Sequence, residues 1–186
     1  MTRPAVPQRE AEGVAPVDPN RDPLRTPCPE PTGGWRVLDP SRTTDESMER
    51  TFDAARGLAG YAGAWLDQSI NPAASRTGND AADLMNDPEK LIINVAVTGD
   101  TAVAEARLRE IWGGALCVSS ARFTEAELQH VRDEVTSTPG ALMLGYGHDR
   151  VDLELIHDDG SLQRELDDRY GPGLVVVSSA LRPYVR

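Results

Sequence analysis

The chain has 186 residues, 39 % hydrophobic and 26 % charged, the balance of one ordinary globular domain with room for a tail. A formal net charge of -11 repels polyanions, which excludes nucleic acid and acidic lipid surfaces and leaves a basic protein partner, or plain solubility, as its use. No apolar run reaches the ~18 residues of a membrane span. No apolar segment follows Met1, so the chain reads as cytoplasmic if complete, or as exported by a segment it does not carry.

Residues 1–42 read as a Pro-rich, disordered or extended arm. Pro16, Pro19, Pro23, Pro27, Pro29 and Pro31 leave no room for a helix or a central strand. Trp35, Val37 and Leu38 are where the arm begins to touch the rest. A single α+β domain is expected over 43–186. Thr43 and Glu46 make a T-x-x-E capping box that opens a helix. Met48, Phe52, Ala55, Ala59, Ala62 and Leu66 then form one helical stripe, which predicts a helix running to Leu66. Gly57, Gly60 and Gly63 weaken it and permit close packing.

From 68 to 89 the pattern fails. Asn71-Pro72, Gly78-Asn79-Asp80 and Asn86-Asp87-Pro88 are turn chemistry, so this is a surface loop, with one helical turn expected at 81–85. Leu91, Ile93, Val95 and Val97 alternate as a strand. Asp100 caps a helix striped by Ala104, Leu108 and Ile111, and Gly113-Gly114 ends it. Leu116 and Val118 mark a second strand. Thr124 with Glu127 is a capping box, flanked by Phe123 and Leu128 at hydrophobic-staple positions.

Leu128, Val131 and Val135 continue that helix to Pro139-Gly140. Leu142, Leu144 and Tyr146 lead through a turn at Gly147-His148-Asp149 to Val151, Leu153 and Leu155, a hairpin with one face in water. Asp159-Gly160 opens a helix with Leu162, Leu166 and Tyr170, and Leu174 to Val177 is the last strand. The order is α-β-α, then β-α-β-β-α-β, which matches a ferredoxin-like sheet-and-helix plan. No internal sequence repeat stands out.

Little marks catalytic chemistry. The chain carries no G-x-S-x-G elbow, P-loop or G-x-G-x-x-G. His148 and His157 lie at opposite ends of one strand, roughly 30 Å apart at ~3.3 Å per residue, too far to share a metal. His157 with Asp158 and Asp159 is half a metal site or an acidic helix cap, and the cap is favoured. His130, beside Asp133 and Glu134, fits a solvated helix face. Asp152 and Glu154 fit the water face of a strand better than paired acid catalysts. Trp65 and Trp112 are spaced as core residues. The expectation is a non-enzymatic chain without cofactor or metal. An enzyme would need a convergent polar pocket that no motif announces. Cys28 and Cys117 fit no zinc pattern. They read either as a disulfide tying the arm to the domain or as a free thiol and a buried cysteine. If bonded, so long a loop contributes ~4–5 kcal/mol.

One stretch is more specific. Tyr61-Ala62-Gly63-Ala64-Trp65-Leu66-Asp67, followed by Leu91-Ile92-Ile93-Asn94-Val95-Ala96-Val97-Thr98-Gly99-Asp100, resembles the pro-region of secreted chymotrypsin-like bacterial serine proteases of the alpha-lytic protease and streptogrisin type. Gly114 to Val118, Thr124 to Val135 and the closing hairpin, helix and strand continue the likeness, which spans Phe52 to Val177. This chain departs from it in the insertion at 68–90, in the extra Gly99 and in lacking a Gly-Asp-Ser-Gly nucleophile segment.

The resemblance implies a protein-binding folding helper or inhibitor acting in trans on a serine protease, secreted or in the cell envelope. It implies that Asp67 pins the turn into the strand. It also implies that the tail Leu181, Arg182, Pro183, Tyr184, Val185 and Arg186 inserts near the protease active site. The alternative is a structural or interaction domain of an exported or cell-envelope protein, with the arm as spacer and Cys28–Cys117 oxidised.

Overall fold

The computed structural model describes residues 24–74, 84–147 and 149–181. These fall into two compact units, 24–121 and 122–181, where the sequence reading has one domain from residue 43. Each unit is an α+β structure built on its own three-stranded sheet.

In the first unit, helix α1 runs Asp45–Arg56. Its N-cap is Thr44, whose hydroxyl accepts from the Ser47 N–H at 3.2 Å. Thr43, expected as the cap, is buried and donates its hydroxyl to the Asp39 carbonyl at 2.8 Å. The helix does not continue to Leu66. Strand β1 occupies Tyr61–Asp67, so Ala62 and Leu66 belong to a strand and not to the helical stripe. Gly57 and Gly60 explain the stop. Gly60 has φ +78°, and a Cβ there would lie 2.5 Å from the Thr98 hydroxyl, so only glycine fits this turn.

Strand β2, Ile92–Val97, pairs antiparallel with β1 and parallel with β3, Ala115–Ser120. Helix α2, Thr101–Arg109, makes the crossover and is capped by Asp100 as expected. The central strand is covered on both faces. Ile93, Val95 and Val97 pack with Ala55, Leu108, Trp112 and Leu116 under the helices. Ile92, on the opposite face, packs with Ala115, Cys117, Cys28, Trp35 and Ile70. Double coverage is the reason Leu91 to Val95 is an unbroken buried run and not an alternating one.

In the second unit, helix α3, Glu125–Val135, carries the expected capping box of Thr124 and Glu127. Strand β4, Ala141–Gly147, pairs antiparallel with β5, Arg150–Leu155, which pairs parallel with β6, Val175–Ser179. Helix α4, Ser161–Tyr170, is the crossover. Phe123, Leu128, Val131, Val151, Leu153, Leu166 and Tyr170 form its core, with Phe123 and Leu128 both in place for the staple.

Both units therefore read α-β-β-α-β with the same sheet order and the same pairings. The correspondence reaches single residues. Thr44 and Thr124 cap the first helices. Gly60 and Gly140 turn with positive φ. Each first strand has a bulge two residues in, at Tyr61/Gly63 and at Ala141/Met143. The ferredoxin-like expectation is corrected at β3. That strand pairs with β2, so the six described strands make two sheets of three and not one β-α-β-β-α-β sheet.

Candidate functional site

The second face of the first sheet is covered by the Pro-rich segment itself. From residue 24 onward the arm runs through turns and a short 3-10 helix at Pro40–Arg42, and it is tied down. The first 23 residues of the arm lie outside the described residues. Cys28 and Cys117 are joined in a disulfide, with Cα atoms 5.8 Å apart. Ahead of it, the Thr26 N–H donates to Asp67 Oδ2 at 2.7 Å. Beyond it, the Leu38 and Asp39 N–H groups donate to the Gly113 carbonyl at 2.7 and 3.1 Å, and the Gly113 N–H donates to the Arg42 carbonyl at 2.9 Å. The Arg42 guanidinium then caps α2 by donating to the carbonyls of Arg109 and Glu110. Residues 24–42 thus form a strap with anchors at Asp67, Cys117 and Gly113.

Asp67 ends β1 and is 2 % exposed. Its other oxygen accepts from the Ser69 N–H at 2.7 Å, so its carboxylate fixes both the strap and the exit of the following loop. The loop is closed by Asn71, whose amide donates to the Leu84 carbonyl at 2.9 Å and accepts from the Ala73 N–H. The turn expected at 81–85 falls largely outside the described residues. Strap, loop and β1 border an open cleft of about 520 Å³ lined by Arg25, Thr26, Cys28, Trp35, Asp67 and Ile70 among others.

Register places Trp65, Asn94 and Cys117 in one row beneath the strap. Asn94 is fully buried. Its amide donates to the Ile92 carbonyl at 3.1 Å, while its Oδ1 accepts no hydrogen bond from the described residues. Nothing in an aliphatic strand pattern announces this residue, because a short run with one Asn reads as apolar. Arg25, Thr26 and Ile70 were equally hidden, since proline density masks contacts made by single side chains.

The remaining sequence sites stay apart. Trp112 is buried and donates its indole N–H to the Ala115 carbonyl at 2.9 Å, as a core residue does. Asp158 and Asp159 accept from the N–H groups of Leu162 and Ser161, the helix-cap role, with His157 exposed beside them. The Ser161 hydroxyl and N–H hold the Asp159 carboxyl below its usual range. His130 is exposed and 3.9 Å from Glu134. Asp152 pairs with Arg150 at 2.9 Å on the outer sheet face. His148 lies outside the described residues. No group of three metal-ligating side chains occurs among the described residues.

Of the tail, Leu181 is described and exposed, its N–H donating to the Ile156 carbonyl at 3.0 Å. Residues 182–186 lie outside the described residues. Ile156 in turn donates to the Gly140 carbonyl. Leu142, Met143, Ile156 and Leu181 are all exposed around this end of the second sheet. The bulge at 141–143 lets two consecutive side chains, Leu142 and Met143, leave the core.

No helix among the described residues is long and apolar enough to cross a membrane. No protein-family model matches the chain, and no curated protein matches it.

Proposed function

We propose that the chain is a non-enzymatic structural or interaction domain of an exported or cell-envelope protein. The observation that carries this reading is the Cys28–Cys117 bond. Disulfides persist in oxidising compartments and are rare where thiols are kept reduced. This one holds a strap across a sheet face, a mechanical task. The well-partnered carboxylates of Asp67, Asp149 and Asp159 serve backbone N–H groups, which is structural work as well. The test is subcellular fractionation of the native cell with a tagged full-length protein. Recovery in the extracellular or envelope fraction supports the reading, and recovery in the cytosol overturns it.

A second reading, a serine-protease pro-region acting in trans, is favoured by one observation. Leu142, Met143, Ile156 and Leu181 put exposed apolar side chains where the tail leaves the second sheet. Tail and apolar sheet end would then engage the protease together, with the acidic chain meeting a basic surface. Inhibition of a chymotrypsin-like protease by the intact chain, lost on removing 181–186, supports it. Equal inactivity of both forms removes it.

A further inference from the structure

We propose that Cys28 is a thiol-exchange site: an attacking thiolate opens the Cys28–Cys117 bond at the Cys28 sulfur and frees the strap. The proposal rests on the oxidised pair of the preceding reading and adds the direction of its chemistry.

The two cysteines differ in exposure. Cys117 sits in the centre of β3 and is 1 % exposed, walled by Ile92, Ala115 and Trp35. Cys28 is half-buried and lines the open cleft of about 520 Å³, wide enough for a small thiol. Exchange requires the nucleophile to approach one sulfur along the S–S axis, so access selects which sulfur is attacked. A thiolate entering the cleft bonds to Cys28 and expels Cys117 as thiolate, which takes a proton from water. A second small thiolate then attacks the mixed disulfide at the sulfur of the first, expelling Cys28 as a thiolate that takes a proton from water, and the two small thiols leave as their disulfide. The buried leaving group slows the first step without changing its direction.

The consequence is mechanical. Residues 24–37 lose the middle of their three anchors and keep the bond from the Thr26 N–H to Asp67, together with the packing of Trp35. The Gly113 anchor at Leu38 and Asp39 remains as the hinge. The floor beneath holds Ile92, Ala115 and Cys117, and also Asn94, whose Oδ1 gains water when the strap lifts. Burial of that oxygen opposes the closed state, so the latch and not the packing alone keeps the strap down.

The test uses the oxidised full chain and glutathione. A brief exposure is quenched by acid and alkylation, and the adduct is mapped by mass spectrometry. The expected product carries glutathione on Cys28 and alkyl on Cys117, in roughly ten-fold excess or more over the reverse. In urea the preference falls toward parity, since unfolding equalises access. Adduct on Cys117 at equal or greater yield in the folded chain, or exchange only after unfolding, overturns the proposal. Strap release is read separately by trypsin, which should cut after exposed Arg36 about ten-fold faster once the pair is reduced; an unchanged rate overturns that part. Protein isolated from its cells with both thiols free removes the compartment reading, while chain oxidised in vitro still gives the adduct map, so the two fail separately.

Discussion

Gly60 and Gly140 stand at the same point of two successive α-β-β-α-β units, with φ of +78° and +81°, each turning the chain from a first helix into a bulged first strand. Their surroundings differ. A Cβ on Gly60 would meet the Thr98 hydroxyl at 2.5 Å, whereas a Cβ on Gly140 meets nothing within 4 Å. Gly140→Ala should therefore cost only the left-handed conformation, about 1 kcal/mol. Gly60→Ala adds a steric clash and should cost roughly 3 kcal/mol. Urea unfolding followed by Trp fluorescence for the first variant site and by Tyr near-UV signal for the second checks the difference. Trp35, Trp65 and Trp112 all lie in the first unit, so their emission reports it alone. Equal costs at both positions would mean that Thr98 yields freely.

Asp149 does for the second unit what Asp67 does for the first. It adopts φ +72° and is 7 % exposed, and its carboxylate accepts from the Arg122 N–H at 2.8 and 2.9 Å and from the Phe123 N–H at 3.0 Å. Asp149→Ala leaves two N–H groups without their acceptor and forces Ala into the left-handed region, for a loss of about 2–4 kcal/mol. Asp149→Asn keeps one oxygen and tolerates the backbone, so about half that loss is expected. Amide hydrogen exchange at Arg122 and Phe123 is the readout, with fast exchange in the Ala variant.

The staple itself has a size. Cys28 and Cys117 are 89 residues apart, and closing so long a loop lowers unfolded-state entropy by ~4–5 kcal/mol at 25 °C. Cys28→Ser with Cys117→Ser should lower the stability of the first unit by up to that amount, as should a reductant. Far-UV and Trp unfolding curves with and without dithiothreitol check it. The double variant should be insensitive to the reductant.

Acid should loosen two turns before it unfolds either sheet. The Ser41 hydroxyl and the Arg42 guanidinium hold the Asp39 carboxyl below its usual range, and Ser161 does the same for Asp159. Both pKa values are depressed on folding. Their contributions are thus complete above the ordinary carboxylate value of ~3.9 and are lost as pH falls through the lower folded values. An NMR titration should show the Ser41 and Ser161 amides shifting only below about pH 4. Transitions above that pH would contradict the assignment of these hydrogen bonds.

Much of the fold was legible where local signals agreed. Thr124, Glu127 and Phe123 announced α3, and Asp152 alternating with Val151 and Leu153 announced the one-sided strand β5. The error at Ala62–Leu66 has a definite cause. Small residues at helical spacing carry no preference of their own, and three glycines with a β2 partner decided for a strand. The two-sheet division was hidden because pairing of β3 with β2 is a long-range choice that no local pattern encodes. The strap was hidden because proline density says nothing of its anchors, which are single contacts at Thr26, Cys28 and Leu38. Asn94 was invisible since its burial follows from that strap.

The oxidised Cys28–Cys117 pair straps the first sheet, and the proposed function requires that bond to persist in the compartment where the protein works. The most direct measurement is peptide mapping of protein taken from its native cells after acid quench and alkylation, without reductant. The expected product is a disulfide-linked pair of peptides carrying Cys28 and Cys117. Separate peptides, each with an alkylated cysteine, would contradict it.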